Sequence, residues 1–179
     1  MMSLRQSVLA LLTAAAFATV PVAAQDTGIA VGATAPDAAV HALDGRAVNL
    51  ATYLGKGPVV LEFWATWCPL CKQLEPALTA AKATHGHRVT FIGITVPQNQ
   101  TPARARAFIE KHELPGVYLF DTDGAASRAY AVPHTSYLVV INAAGKVVYT
   151  GVGGTQDVEA ALARLGPEGG RSMMDGREE

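Results

Sequence analysis

The sequence predicts an α/β fold built on one mixed β-sheet. Three observations predict it. From residue 28 onward, short apolar runs alternate with segments of helical period. The last two such runs are joined by a tight turn, and half of all residues are hydrophobic. Residues 28–36 are rich in Gly and Ala and read as an extended lead-in. Asp44-Gly45 marks a turn between strand candidates 38–43 and 47–50. Residues 58–64 are apolar, with β-branched and aromatic members, as a central strand requires. From Pro69 towards Thr84, the apolar positions Leu70, Leu74, Ala77, Leu78 and Ala81 recur at helical spacing, and Gly86 ends that helix. Residues 89–96 form a second buried-strand candidate. Thr101-Pro102 then supplies an N-cap and a first-turn proline to a helix reaching Glu113, with Ala105, Phe108 and Ile109 on one side. A strand at 117–120, a turn at 121–124 and a brief helix at 125–130 follow. Strands 137–141 and 146–150 flank Asn142-Ala143-Ala144-Gly145 as a hairpin, and a helix over 157–165, capped by Thr155, closes the fold.

Composition excludes several functions. The 179 residues carry 14 Lys and Arg against 15 Asp and Glu, a net charge of −1, so no basic surface exists to hold a phosphate backbone and no nucleic-acid partner is expected. With 16% charged residues the chain is too apolar for a disordered one, and its length suits one domain that needs no disulfide scaffold. Residues 1–24 read as a signal peptide: Arg5 precedes an uncharged run over 8–20, Pro21 breaks it, and Val22-Ala23-Ala24 offers small residues for cleavage. The run is shorter than the roughly 20 residues of a spanning helix, so export to a periplasm is expected rather than retention as a membrane anchor. The mature domain spans 25–165. Residues 166–179 lack periodicity and read as a disordered tail.

The chemistry lies in Trp67-Cys68-Pro69-Leu70-Cys71, at the junction of a strand and a helix. One helical turn brings two sulfurs with this spacing within bonding distance. The unpaired amides and positive dipole end of the helix favour the thiolate of the first cysteine. Cys68 is therefore expected to be the exposed nucleophile, and Cys71, one turn deeper, the resolving thiol. Other uses of two cysteines fit less well. A structural zinc site needs further ligands, and these are the chain's two cysteines. Haem attachment needs His after the second cysteine, where Lys72 stands. A structural disulfide closing so short a loop gains little entropy.

The stretch from Val60 to Lys72, with Gly32-Ala33-Thr34-Ala35-Pro36-Asp37, Leu43-Asp44-Gly45, Asp121-Thr122-Asp123-Gly124 and Asn142-Ala143-Ala144-Gly145-Lys146, resembles the exported TlpA/ResA group of thioredoxin-fold proteins. The resemblance covers residues 32–165. It implies a thioredoxin fold, a mixed central sheet flanked by helices, with that group's N-terminal extension. It also implies thiol–disulfide exchange with other proteins outside the cytoplasm. Trp67 and Pro69 beside the nucleophile, and Thr135 and Ser136 in the loop opposite, are the substrate-binding residues it implies. Many members carry Glu three residues after the second cysteine, where this chain has Leu74; Glu75, one residue further round, is expected to point elsewhere. Glu62, six residues before Cys68, stands where thioredoxins carry a buried acid, and is the expected proton acceptor for Cys71.

A second departure concerns the loop. The group places a cis-proline nine residues before the hairpin glycine, and in this chain that position is Ser136. A trans bond before Ser136 is expected, with looser packing that admits a further ligand or partner. Pro133 would take the role only if three residues had been inserted. His134 stands in the same loop and is similar to the loop His of the Sco copper chaperones, so Cys68, Cys71 and His134 form an alternative Cu(I) site, although Sco proteins space their cysteines by three. A peroxiredoxin is disfavoured because Ala65 occupies the position of its Thr or Ser. His85 and His87 read as solvated, and Trp64 as a packing residue. The chain therefore reads as a monomeric periplasmic dithiol–disulfide oxidoreductase, a reductant of partner disulfides fed by a membrane electron donor. It requires no cofactor, its alternative role is as a copper carrier, and its clients are of the kind met in cytochrome c or copper-centre assembly.

Overall fold

The computed structural model describes residues 28–166. The signal segment and most of the tail lie outside them. Seven strands form one mixed sheet in the order β2-β1-β5-β4-β3-β6-β7. They are β1 (Ala39–Ala42), β2 (Ala47–Asn49), β3 (Val59–Trp64), β4 (Thr90–Thr95), β5 (Val117–Phe120), β6 (Tyr137–Ile141) and β7 (Val147–Val152). β3 runs parallel to β4 and antiparallel to β6, which makes it the central strand from which the dithiol departs. The helices are α1 (Pro69–His85), α2 (Pro102–Lys111), α3 (Ala125–Ala129) and α4 (Val158–Ala163).

Each sheet face has its own core. Val60, Phe91, Leu138 and Val140 pack with Leu74, Leu78 and Ala81 of α1 and with Val158, Ala161 and Leu162 of α4. Leu61, Phe63, Ile92, Ile94 and Val139 join a second cluster with Ala126 of α3 and Tyr130. Alternation along β3 therefore sends Val60 and Glu62 towards α1, and Leu61 and Phe63 to the opposite face. The lead-in is tied down: Ile29 N–H donates to the Tyr130 carbonyl at 3.1 Å, and Thr34 bridges to Lys146 beside β7.

The elements read from sequence are all present, with two corrections. The closing helix is capped by Asp157, not Thr155: the Asp157 carboxylate accepts the Ala160 N–H at 2.9 Å, the third helical amide. His85 is only partly solvated; its Nε2 lies 2.9 Å from Glu159 Oε2 and links the end of α1 to α4.

Beside Glu62 the sheet carries Gly93, its register partner on β4. A Cβ there would lie 2.5 Å from the Tyr118 ring and 3.0 Å from Trp64 Nε1. Gly93→Ala therefore forces both rings aside. We expect a loss of about 1–3 kcal/mol, the usual range for overpacking, read as a lower denaturant midpoint at unchanged slope.

Candidate active site

Cys68 is the N-cap of α1 and Pro69 occupies the first helical position, where its missing N–H costs nothing. Cys71 N–H donates to Cys68 Sγ at 3.0 Å. That sulfur thus sits at the positive end of a 17-residue helix, with an amide already aimed at the charge it carries as a thiolate. The two cysteines are joined as a disulfide, their Cα atoms 5.3 Å apart. The expectation of an exposed Cys68 fails for this state. Cys68 is 1% exposed and Cys71 5%, because both belong to the core cluster that contains Phe63, Trp64 and Ala65. Their neighbours Trp67 and Leu70 are exposed instead, at 46% and 43%. Trp67 is pinned by its indole N–H, which donates to the Gln98 carbonyl at 2.8 Å, and Gln100 donates to the Thr66 hydroxyl at 2.7 Å.

Beneath the dithiol lies a narrow cavity of about 20 Å³, wide enough for a water molecule. Cys71 lines it from above, Glu62 from β3 and Tyr118 from β5, while Glu75 and Lys82 enter from α1. Glu62 is thus where sequence reasoning placed it. Burial is the main reason that its carboxyl is pushed up to about 7; Lys82 pulls it down, and the neighbouring Glu75 raises it again. Burial holds the Lys82 ammonium below its ordinary range, while Glu62 and Glu75 oppose that shift. Lys82 Nζ lies 3.2 Å from the Tyr118 hydroxyl and 5.2 Å from the ring centroid.

Glu75 was expected to point away, and that expectation is overturned. It stands four residues after Cys71, and positions i and i+4 share a helical face. Leu74, at the group's usual Glu position, turns into the core instead. Lys82 and Tyr118 were not foreseen. Cys71, Glu75, Leu78 and Lys82 follow a four-three-four spacing, the signal that could have revealed Lys82. Tyr118 carried no such mark.

The loop opposite the dithiol has no cis bond, and neither does any other part of the described residues. Pro133 is therefore trans and the inserted-proline register does not hold. Ser136 occupies the entry to β6, and its φ of +63° is left-handed. It is fully buried, with its N–H donating to the Phe63 carbonyl at 2.8 Å and its hydroxyl to the Gly153 carbonyl at 3.0 Å. The expected looser packing is thus corrected: hydrogen bonds occupy Ser136, and it opens no ligand position. Thr135 and His134 line a groove of about 330 Å³ with Trp67, Val96 and Pro133. His134 is exposed. Among the described residues no three His, Cys, Asp or Glu side chains are grouped to hold a metal ion, so Cys68, Cys71 and His134 do not form the copper site considered from sequence.

A helix-capping dithiol on the central strand of such a sheet, over a carboxylate-lined cavity, defines a thiol–disulfide oxidoreductase of thioredoxin fold. The chain belongs to the redoxin family, whose model matches residues 30–165. It is 30% identical over 145 residues to the thiol-disulfide oxidoreductase ResA of Geobacillus thermodenitrificans, covering 80% of this chain and 82% of that protein. The structure of a secreted Mycobacterium tuberculosis disulfide oxidoreductase homologous to E. coli DsbE superposes with a TM-score of 0.59 at 28% identity, over 71% of this chain and 92% of the other. MTB dsbF, in mixed oxidized and reduced forms, matches with a TM-score of 0.60 at 28% identity, over 71% and 91%.

Proposed function

We propose that this protein is an exported reductant of protein disulfides, with residues 25–165 as its working domain. The cavity that joins Cys71 to Glu62 is the observation that carries the reading. Cys68 thiolate attacks a partner disulfide, forming a mixed disulfide and releasing one partner thiolate. The Cys71 thiol gives its proton to Glu62 and attacks Cys68 Sγ, and the second partner sulfur leaves with the electron pair and takes up a proton. The partner gains two electrons, and the Cys68–Cys71 disulfide forms. A membrane electron donor returns the pair to the dithiol. The exposed faces of Trp67 and Pro69, with Thr135 across the groove, receive the partner segment. The clients are proteins with disulfides or cysteine pairs, including those of cytochrome assembly, and the reductase acts as a monomer. The apolar leader and the secreted mycobacterial relative support export. No helix among the described residues is long and apolar enough to cross a membrane.

Equilibration with glutathione tests the direction of electron flow. Proteins of this fold range from about −270 mV in thioredoxin to −120 mV in DsbA, and a reductant must lie near the lower value. A potential near −120 mV would overturn the proposed direction.

Glu62 gives a second test. Exchange should accelerate as pH rises through about 7, where the carboxylate becomes available. Glu62→Gln should flatten that rise and slow resolution roughly tenfold or more at pH 8. The same titration sets the pH dependence of stability. A carboxyl raised from 4.5 to about 7 on folding contributes stability fully below 4.5 and loses it as pH rises through 7. Glu62→Gln should therefore melt above the wild type at pH 8 and level with it at pH 4. An unchanged rate profile would remove Glu62 from the mechanism.

A further inference from the structure

A left-handed residue other than glycine is costly and persists only where its surroundings hold it. At Ser136 those surroundings converge on one side chain. Gln156 Nε2 donates to the Ser136 carbonyl at 3.0 Å and to the Gly153 carbonyl at 2.7 Å. Its Oε1 accepts from the Tyr149 hydroxyl at 3.3 Å, which fixes which end of the amide faces the loop. Gly153 N–H completes the knot by donating to the Ser136 carbonyl at 3.0 Å.

The knot also reaches the dithiol helix. Gly154 is buried against Gln73, two residues after Cys71, and a Cβ at Gly154 would stand 2.8 Å from Gln73 Cβ. The segment 153–156 therefore touches both walls of the active site: the Ser136 turn on one side and the first turns of α1 on the other. Immediately before Ser136 come His134 and Thr135, which line the groove beside Trp67.

We propose that Gln156 is a positioning residue for protein substrates: its amide holds the Ser136 turn, and with it Thr135 and His134, at the distance from Trp67 that receives an extended protein segment. This rests on the reading of the protein as a reductant of protein disulfides. A small disulfide needs only the sulfurs, whereas a protein segment needs the groove as well, and a misplacement of about 1 Å in a binding wall is enough to weaken docking severely.

The test compares two substrates with dithiothreitol as electron source. Gln156→Leu keeps the bulk but removes both donors. It should raise KM for the interchain disulfides of insulin on the order of tenfold, with the rate towards glutathione disulfide unchanged. Gln156→Glu places a carboxylate against two carbonyls at neutral pH and should show the same split. Equal losses on both substrates, or no change in KM for insulin, would overturn the role of Gln156. Failure of the wild type itself to reduce insulin would instead overturn the reductase reading. Should Gln156→Leu not fold, the substrate split of Gln156→Glu at neutral pH decides alone, and its absence counts against the proposal.

Discussion

Replacing Cys68 with Ser should reduce insulin reduction to the rate of dithiothreitol alone, while Cys71→Ser should accumulate mixed disulfides with client proteins. The two cysteines differ because only Cys68 Sγ receives the Cys71 N–H at the head of α1. A serine hydroxyl at 68 can accept the same hydrogen bond and preserve the cap, so the fold is retained while the nucleophile is lost. With Cys71 replaced, Cys68 still attacks, but the resolving thiol is missing and the covalent intermediate persists. Mass spectrometry of the Cys71→Ser protein after exposure to oxidised clients should show adducts that dithiothreitol removes. Normal turnover in both single variants would end the dithiol mechanism.

The second large effect is expected at Ser136. Ser136→Pro restores the residue type that related proteins carry at this place, yet it should destabilise the fold by about 3 kcal/mol or more. Proline fixes φ near −65°, whereas Ser136 sits at +63°. Proline also removes the N–H that donates to the Phe63 carbonyl at 2.8 Å. Ser136→Gly offers the contrast. Glycine accepts positive φ without strain, which offsets the loss of the hydroxyl bond to Gly153, so its melting temperature should stay within a few degrees of wild type. A Ser136→Pro protein that melts like the wild type would show that the loop can adopt the proline geometry after all.

Much of this was legible in the sequence because the signals were local. The dithiol, its proline and the helical stripe below it lie in one continuous segment, and the resemblance to thioredoxins, which carry a buried acid six residues before the first cysteine, put Glu62 under the helix. The turn Asn142-Ala143-Ala144-Gly145 located the hairpin, and counting back from it reached Ser136. What escaped depended on approach between distant segments. Tyr118 meets Lys82 only because β5 lies beside β4, and Gln156 meets Ser136 only because β7 folds back along β6. Glu75 is a different case. Its position four residues after Cys71 sets it on the same helical face, whereas the spacing usual in the resembling group points to Leu74. The burial of Cys68 escaped for a further reason: a helix terminus is normally wet, and only the packing of Ala65 and Trp64 in the core around it makes this one dry.

That dryness has a kinetic meaning. Thiol–disulfide exchange requires a thiolate to approach one sulfur along the axis of the bond it breaks, and a pair that is 1% and 5% exposed offers small free thiols a narrower line of attack than an open disulfide would. A docked protein differs, because it can bring its own thiolate to the site from within an interface. The oxidised protein should therefore exchange more slowly with a small thiol than with a protein dithiol of equal potential that docks on it. Two neighbouring electron currents in one compartment would then stay separate, insulated by access to the sulfur rather than by a difference in potential.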